Sequence, residues 1–193
     1  MPKILQKYFI AIVPDGEIQE KATDLKLKLR EKYNLKYALK SPSHITLKMP
    51  FLWNEAKEDR LVSQLTLFFQ EQPRFDLTFR GIGKFGQRVI FIKVGEQPLL
   101  HELQNNLANF CKTRLNLKVE FSDSAYHPHM TVAFKDLKNP LFKEYFDFLT
   151  SFGFKGLMAV KEVALLKREN GRWAVCKSFA LTDALSKISC SQS

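Results

Sequence analysis

No apolar run in this 193-residue chain approaches the length of a membrane span. The longest, such as Tyr8–Val13, covers six residues, whereas a spanning helix needs about 20. The same run falls short of a secretory apolar region, which takes about 7–15 residues and a small-residue cleavage site. Pro14-Asp15-Gly16 follows it directly and reads as a turn, so neither export nor a membrane partner is expected. Cysteine is scarce as well. Cys111, Cys176 and Cys190 are odd in number and share no metal-ligand spacing, which argues against a disulfide framework or a zinc ribbon and fits a reducing cytoplasm. Low-complexity tracts and long linkers are missing. With 45% apolar and 26% charged residues, the composition excludes a disordered, collagenous or fibrous chain. The length suits one domain or two small fused halves.

Acidic residues are outnumbered. Thirty Lys and Arg stand against twenty Asp and Glu, a net charge of +10. A basic surface draws anions, nucleic acid and nucleotides among them; the same charge also serves plain solubility.

Strand-like and helix-like segments alternate along the chain. Lys7–Val13 reads as a strand. Asp15–Tyr33 places Ile18, Ala22, Leu25 and Leu29 on one helical face. Ser43–Lys48 is a short strand, and Asn54–Gln70 a helix with Asn54 as its N-cap. Phe75–Arg80 and Arg88–Val94 are strands, Pro98–Leu115 a helix, Met130–Phe134 a strand and Pro140–Thr150 a helix. Lys161–Arg168 and Arg172–Leu181 form a hairpin around Glu169-Asn170-Gly171, because Asn-Gly is a strong turn signal. The domain is expected over 1–185, with 186–193 as a frayed tail.

Two stretches repeat one order. Tyr8–Val13, a Leu-rich helix, Asn34-Leu35-Lys36 and His44-Ile45-Thr46 are matched by Arg88–Val94, a Leu-rich helix, Asn116-Leu117-Lys118 and His129-Met130-Thr131. This order predicts two related halves about an approximate twofold axis. The alternative is coincidence among strand–helix units, which are common.

The histidines concentrate the chemistry. Of His44, His101, His127 and His129, two begin a His-x-Thr, although threonine fills only eight positions. Residues i and i+2 of a strand share a face, so His44 projects with Thr46, and His129 with Thr131. Across a cleft between two halves, that gives two imidazoles and two hydroxyls around one volume. Imidazole titrates near 6.5, so one ring can accept a proton while its twin donates one. Threonine hydroxyls can hold non-bridging phosphate oxygens. Such a site suits cleavage of a phosphodiester without metal. A lone His-x-Thr is more often structural, and His127 with His129 forms a His-x-His that would need further ligands to hold a metal. His127 reads as a loop residue held by Pro128, and His101 as a surface residue of its helix.

Ser41-Pro42-Ser43-His44-Ile45-Thr46-Leu47-Lys48 and Tyr126-His127-Pro128-His129-Met130-Thr131-Val132-Ala133-Phe134 resemble the paired motifs of the 2H phosphoesterase superfamily, in its bacterial 2′-5′ RNA ligase and cyclic phosphodiesterase branch. The resemblance runs from about Tyr8 to Leu181. It implies a bilobal α+β fold in which two antiparallel sheets line a central cleft and helices lie outside. It implies opening of 2′,3′-cyclic phosphates on RNA ends or nucleotides, with 2′-5′ joining of RNA ends as the reverse reaction. No metal, cofactor or obligate protein partner is implied, and a monomer is expected. His44 and His129 become the acid–base pair, His44 as acid, and Thr46 and Thr131 the phosphate ligands. Many relatives carry a basic residue five positions after the second histidine. Here that position is Phe134, for which packing or base stacking is expected, with Lys135 facing away. Two alternatives stay open: an RNA-binding module whose motifs are relics, and a phosphoesterase for a small cyclic-phosphate metabolite.

Further contacts are expected near the cleft. Gly81-Ile82-Gly83-Lys84-Phe85-Gly86 matches G-x-G-x-x-G but leads into a strand, where a dinucleotide site needs a helix. It reads as a β connection that brings Lys84 and Phe85 near a ligand. Phe9 and Phe91 occupy matching strands and are candidates to stack on a base; Arg88, Lys93 and Tyr126 are further candidate contacts. Phe68, Phe69, Phe146 and Phe148 are assigned to the core, and the charge-rich stretches Lys21–Lys32 and Lys155–Arg168 to solvated faces.

Overall fold

The computed structural model describes residues 4–118, 120 and 125–183. The expected domain end at 185 and the tail 186–193 lie outside the described residues. Alternation sets the first strand. In β1 (Leu5–Ile12) Tyr8, Ile10 and Ile12 enter the main core, while Phe9 and Ala11 face the other way. Helix α1 (Gly16–Tyr33) buries Ile18, Ala22, Leu25 and Leu29, the stripe its spacing predicts. Lys26 is buried with them, at 3% exposure. The solvated face expected over Lys21–Lys32 is therefore broken at that lysine.

The Asn-Leu-Lys triplets are helix stops. Asn34 takes the left-handed conformation (φ 56°) after α1, and the Leu35 amide donates back to the Leu29 carbonyl at 3.4 Å. Asn116 (φ 54°) does the same after α3 (Pro98–Thr113), with the Leu117 amide 2.9 Å from the Cys111 carbonyl. Asparagine tolerates this conformation because its short polar side chain offsets the steric cost. Phe9 and Phe91 are 82 residues apart, as are Asn34 and Asn116. The spacing from strand to helix stop is thus identical in both stretches.

The remaining strands are β2 (Ile45–Asn54), β3 (Phe75–Phe85), β4 (Val89–Val94), β5 (His129–Phe134), β6 (Lys155–Val160), β7 (Glu162–Glu169) and β8 (Arg172–Ala180). They form one curled antiparallel sheet in the order β6-β3-β4-β5-β2-β1-β7-β8. Where two sheets are expected, two four-stranded halves meet through a single residue pair, Ile45 with Met130. The chain runs strand–helix–strand–helix through each half: β1, α1, β2, α2 (Glu58–Phe69), then β4, α3, β5, α4 (Phe142–Phe152). The helices cover the core side. Leu61, Leu65 and Phe69 of α2 and Phe142, Tyr145 and Leu149 of α4 are buried there.

Several boundaries move from their expected places. Strand β2 runs through Pro50 to Asn54, so Asn54 ends a strand and its side chain caps a short 3-10 turn, accepting from the Ala56 amide at 3.3 Å. Strand β3 continues to Phe85 and takes in most of the glycine motif. A Cβ at Gly83 would meet the Phe91 ring at 2.5 Å, so that glycine lets an aromatic side chain lie close over the strand. The charge-rich start at Lys155 is the edge strand β6, paired to β3 over six residues. Of the four phenylalanines assigned to the core, Phe69 is fully buried, and Phe68, Phe146 and Phe148 are half-buried against the core cluster. Asn170 (φ 49°) and Gly171 (φ 77°) make the expected turn between β7 and β8.

Candidate active site

The one strand pairing between the halves among the described residues, Ile45 with Met130, also assembles the site. Ile45 and Met130 are fully buried and point into the core. Their sequence neighbours His44, Thr46, His129 and Thr131 therefore point to the open face, and all four are half-buried. Continuing the antiparallel register sets His44 across from Thr131, and Thr46 across from His129. The cleft expected between two sheets is thus an open face of one sheet, spanning the join between its halves.

Both histidines are held alike. His44 Nδ1 lies 2.8 Å from the Pro42 carbonyl oxygen, and His129 Nδ1 lies 2.7 Å from that of His127. A carbonyl only accepts, so each Nδ1 carries the hydrogen and each Nε2 is left to take or give a proton. An aromatic ring from the neighbouring strand rests on each imidazole: Phe9 on His44 at 4.8 Å between centroids, Phe91 on His129 at 5.2 Å.

The flanks differ. Trp173 of β8 meets Phe9 edge-on at 4.7 Å. Two α1 side chains fix the segment before His44. Gln19 donates to the Ser43 and Pro14 carbonyls, both at 3.0 Å, and accepts from the Ser43 amide at 2.9 Å. The Lys26 ammonium donates to the Ser41 carbonyl at 3.2 Å. Around His129, Phe85 stands edge-on at 4.9 Å. A cavity of about 270 Å³ opens there, lined by Thr46, Met49, Phe85, Tyr126 and His129 among others. The Tyr126 hydroxyl is buried and has no protein hydrogen-bond partner among the described residues; burial pushes it well above the usual tyrosine range.

Burial holds both imidazoles below their ordinary value. His44 is pushed down to about 4, first by desolvation, against the Pro42 hydrogen bond, with the charges of Lys26 and His129 adding to the effect. His129 is lowered by desolvation, partly offset by the His127 carbonyl. Among the described residues, no three His, Cys, Asp or Glu side chains gather as a set that could hold a metal ion.

Residues 14–172 match the 2′-5′ RNA ligase superfamily. The chain belongs to that superfamily. It is 30% identical over 181 residues to the Bacillus mycoides (strain KBAB4) protein named "Putative phosphoesterase BcerKBAB4_1135", covering 91% of this chain and 96% of the relative. A Geobacillus sp. (strain WCH70) relative of the same kind is 28% identical over 176 residues, covering 90% and 95%. Among solved structures, E. coli LigT superposes with a TM-score of 0.62 at 23% identity, covering 93% of this chain and 99% of that one. TT0787 of Thermus thermophilus gives 0.63 at 17%, covering 92% and 99%. These structures share the fold.

Within this superfamily member, Phe9 and Phe91 stand at the histidines, Tyr126 lines the cavity, and Lys93 pairs across the strands with His129. Three expected contacts lie elsewhere. Arg88 is exposed in the turn between β3 and β4, at the far end of β4 from Lys93. Lys84 points to the opposite face from Phe85 and lies over the Phe142 and Phe146 rings of α4. Phe134 ends β5, five residues beyond His129, and packs edge-on against Tyr37 at 5.0 Å. Lys135 does not face away, because the strand stops at Phe134. Its left-handed backbone (φ 65°) carries the ammonium over Tyr37, whose hydroxyl it meets at 3.1 Å. His101 is half-buried with its ring against Tyr126 at 5.6 Å, so it is not a free surface residue.

Gln19, Lys26 and Trp173 are not among the residues expected from the sequence. A usable signal existed for the first two. They lie seven apart, each just after a stripe residue of α1, so two long polar side chains border the buried face on one side. Trp173 carries no local signal, because a distant hairpin delivers it.

Proposed function

We propose that the protein opens 2′,3′-cyclic phosphates of RNA ends or nucleotides to a phosphomonoester by metal-independent acid–base catalysis. His44 and His129 move the protons, and Thr46 and Thr131 hold the phosphate. One observation carries the reading: two imidazoles with matched Nδ1 anchors share one open face with two hydroxyls around a single strand pair. Water attacks phosphorus, and a neutral Nε2 takes its proton as the new P–O bond forms. The bond from phosphorus to the ring 2′ or 3′ oxygen breaks, and the second, protonated imidazole gives that oxygen its hydrogen. One ring gains the proton the other loses, and exchange with solvent resets the pair. The threonine hydroxyls donate to the non-bridging oxygens. With a 5′-hydroxyl of an RNA end in place of water and the 3′ oxygen as the leaving group, the same proton movements give a 2′-5′ linkage.

His44 is the harder ring to protonate, since burial, Lys26 and His129 all disfavour its cation. We therefore assign it the base role and His129 the acid role, the reverse of the order expected from sequence. The net charge of +10 favours encounter with an anion. A solved structure of the fold neighbour LigT is described as complexed with 3′-AMP, which supports a nucleotide ligand.

The test is turnover of 2′,3′-cyclic AMP, and of a short RNA ending in a 2′,3′-cyclic phosphate, in the presence of EDTA. Monoester product from either is expected. No turnover of either substrate, or turnover abolished by the chelator, would defeat the reading. Salt-dependent RNA binding without turnover would make the protein a binding module.

A further inference from the structure

A second pocket, of about 230 Å³, is lined by Lys26, Lys40, Pro42, Arg172 and Trp173 among others. It adjoins the proposed catalytic group on two paths. Pro42, which lines it, holds His44 Nδ1 through its carbonyl, and Trp173 contacts Phe9, which packs on His44.

Among the described residues, the lining of this pocket holds no carboxylate. Lys26 is 3% exposed. Its ammonium meets the Ser41 carbonyl and, among the described residues, no carboxylate. Burial alone pulls its amine down to about 8, so it is still mostly charged near neutrality. A buried cation faced only by a carbonyl dipole is under-compensated, and the exposed Lys40 and Arg172 add charge of the same sign. The rim continues the pattern. The Arg168 guanidinium lies over the Trp173 ring at 5.7 Å, and the Lys40 and Lys135 ammoniums lie over Tyr37 at 4.6 and 4.8 Å. Asp136, beside Tyr37, has one carboxylate oxygen engaged by the Lys36 and Tyr37 amides, both at 2.7 Å. Cations interleaved with aromatic rings are how proteins hold a single nucleic-acid strand.

We propose that this pocket is a subsite for the phosphodiester of the adjoining nucleotide of an RNA strand, held by Lys26, Lys40 and Arg172 against the wall of Trp173. The protein then prefers a strand end to a free cyclic nucleotide. This rests on the phosphodiesterase reading and adds to it a requirement for a second phosphate.

The experiment compares kcat/KM for 2′,3′-cyclic AMP with that for an adenylyl dinucleotide ending in a 2′,3′-cyclic phosphate. Wild type is expected to favour the dinucleotide by about 10-fold or more, the worth of one charge-assisted contact. The double variant Lys40→Ala/Arg172→Ala, at exposed positions, is expected to bring that ratio to within about 2-fold of unity and leave cyclic AMP turnover unchanged. Added salt should erode the dinucleotide preference more than the mononucleotide rate. Equal turnover of the two substrates by wild type, or a ratio that survives the double variant, overturns the subsite and leaves the phosphodiesterase reading standing. If wild type opens neither substrate, that reading falls and binding decides the subsite. Trp173 fluorescence in a Trp53→Phe background reports binding of 3′-AMP and of the dinucleotide 3′-phosphate. The same preference supports the subsite, and equal affinity overturns it.

Discussion

His44 and His129 are each pinned through Nδ1 by the carbonyl two residues back, and each carries a phenylalanine from the neighbouring strand of its own half. Beyond that ring the halves diverge. Gln19 and Lys26 tie the His44 segment to α1, and Lys26 brings a buried positive charge. The positions 82 residues on are His101, which lies against Tyr126, and Ala108, which brings no charge. His129 faces Phe85 and a cavity instead. The shared scaffold supplies two equivalent proton-carrying nitrogens, and the unshared flanks make them unequal. General acid–base chemistry needs that inequality, because one ring must begin neutral and the other protonated.

Substitutions can break this comparison or sharpen it. After the histidines themselves, the largest effect is expected at the shared hydroxyls. Thr46→Val and Thr131→Val should each lower kcat for 2′,3′-cyclic AMP by about 10²-fold, the usual cost of removing one donor to a developing charge. A large loss at one threonine alone would mean that only one half binds the phosphate. Gln19→Leu leaves the Ser43 amide and carbonyl without their side-chain partner, and should lower kcat about 10-fold with KM nearly unchanged. His101→Leu, at the matching position, should change kcat by less than about 2-fold. Similar losses at both positions would erase the asymmetry.

The smallest effect is in the pH profile. Below about 4, His44 is protonated and cannot act as base. Above the lowered value of His129, which lies under the ordinary 6.5, the acid has lost its proton. The profile of kcat/KM for cyclic AMP is therefore expected to peak on the acid side of neutrality. Lys26→Met removes a cation that disfavours protonated His44, so the lower limb should move up in pH. Movement down would contradict the assigned influence of Lys26.

Much of the geometry of the candidate site was legible in the sequence because its signals are local. Two-residue periodicity puts His and Thr on one face, and the repeated order matches Phe9 with Phe91. The Asn-Leu-Lys triplet was legible as a repeat; its cause, a left-handed helix stop, needed the backbone angles. Errors arose where position along a strand or across it mattered. Phe134 belongs to the right strand, but five residues at about 3.3 Å each carry it roughly 17 Å from His129. Lys84 and Phe85 are neighbours in sequence and face opposite ways, so only one reaches the cleft. The join through one residue pair, and the arrival of Trp173, come from pairing between distant segments that no local pattern encodes.

The central claim is that the two histidines act as one unit. It is tested most directly by kcat/KM on 2′,3′-cyclic AMP for His44→Ala, His129→Ala and the double variant. Each single variant should lose about 10²-fold or more, and the double should be little slower than the slower single, because either loss alone stops the paired proton transfer. A single variant that keeps wild-type turnover, or two losses that multiply in the double, would contradict the account.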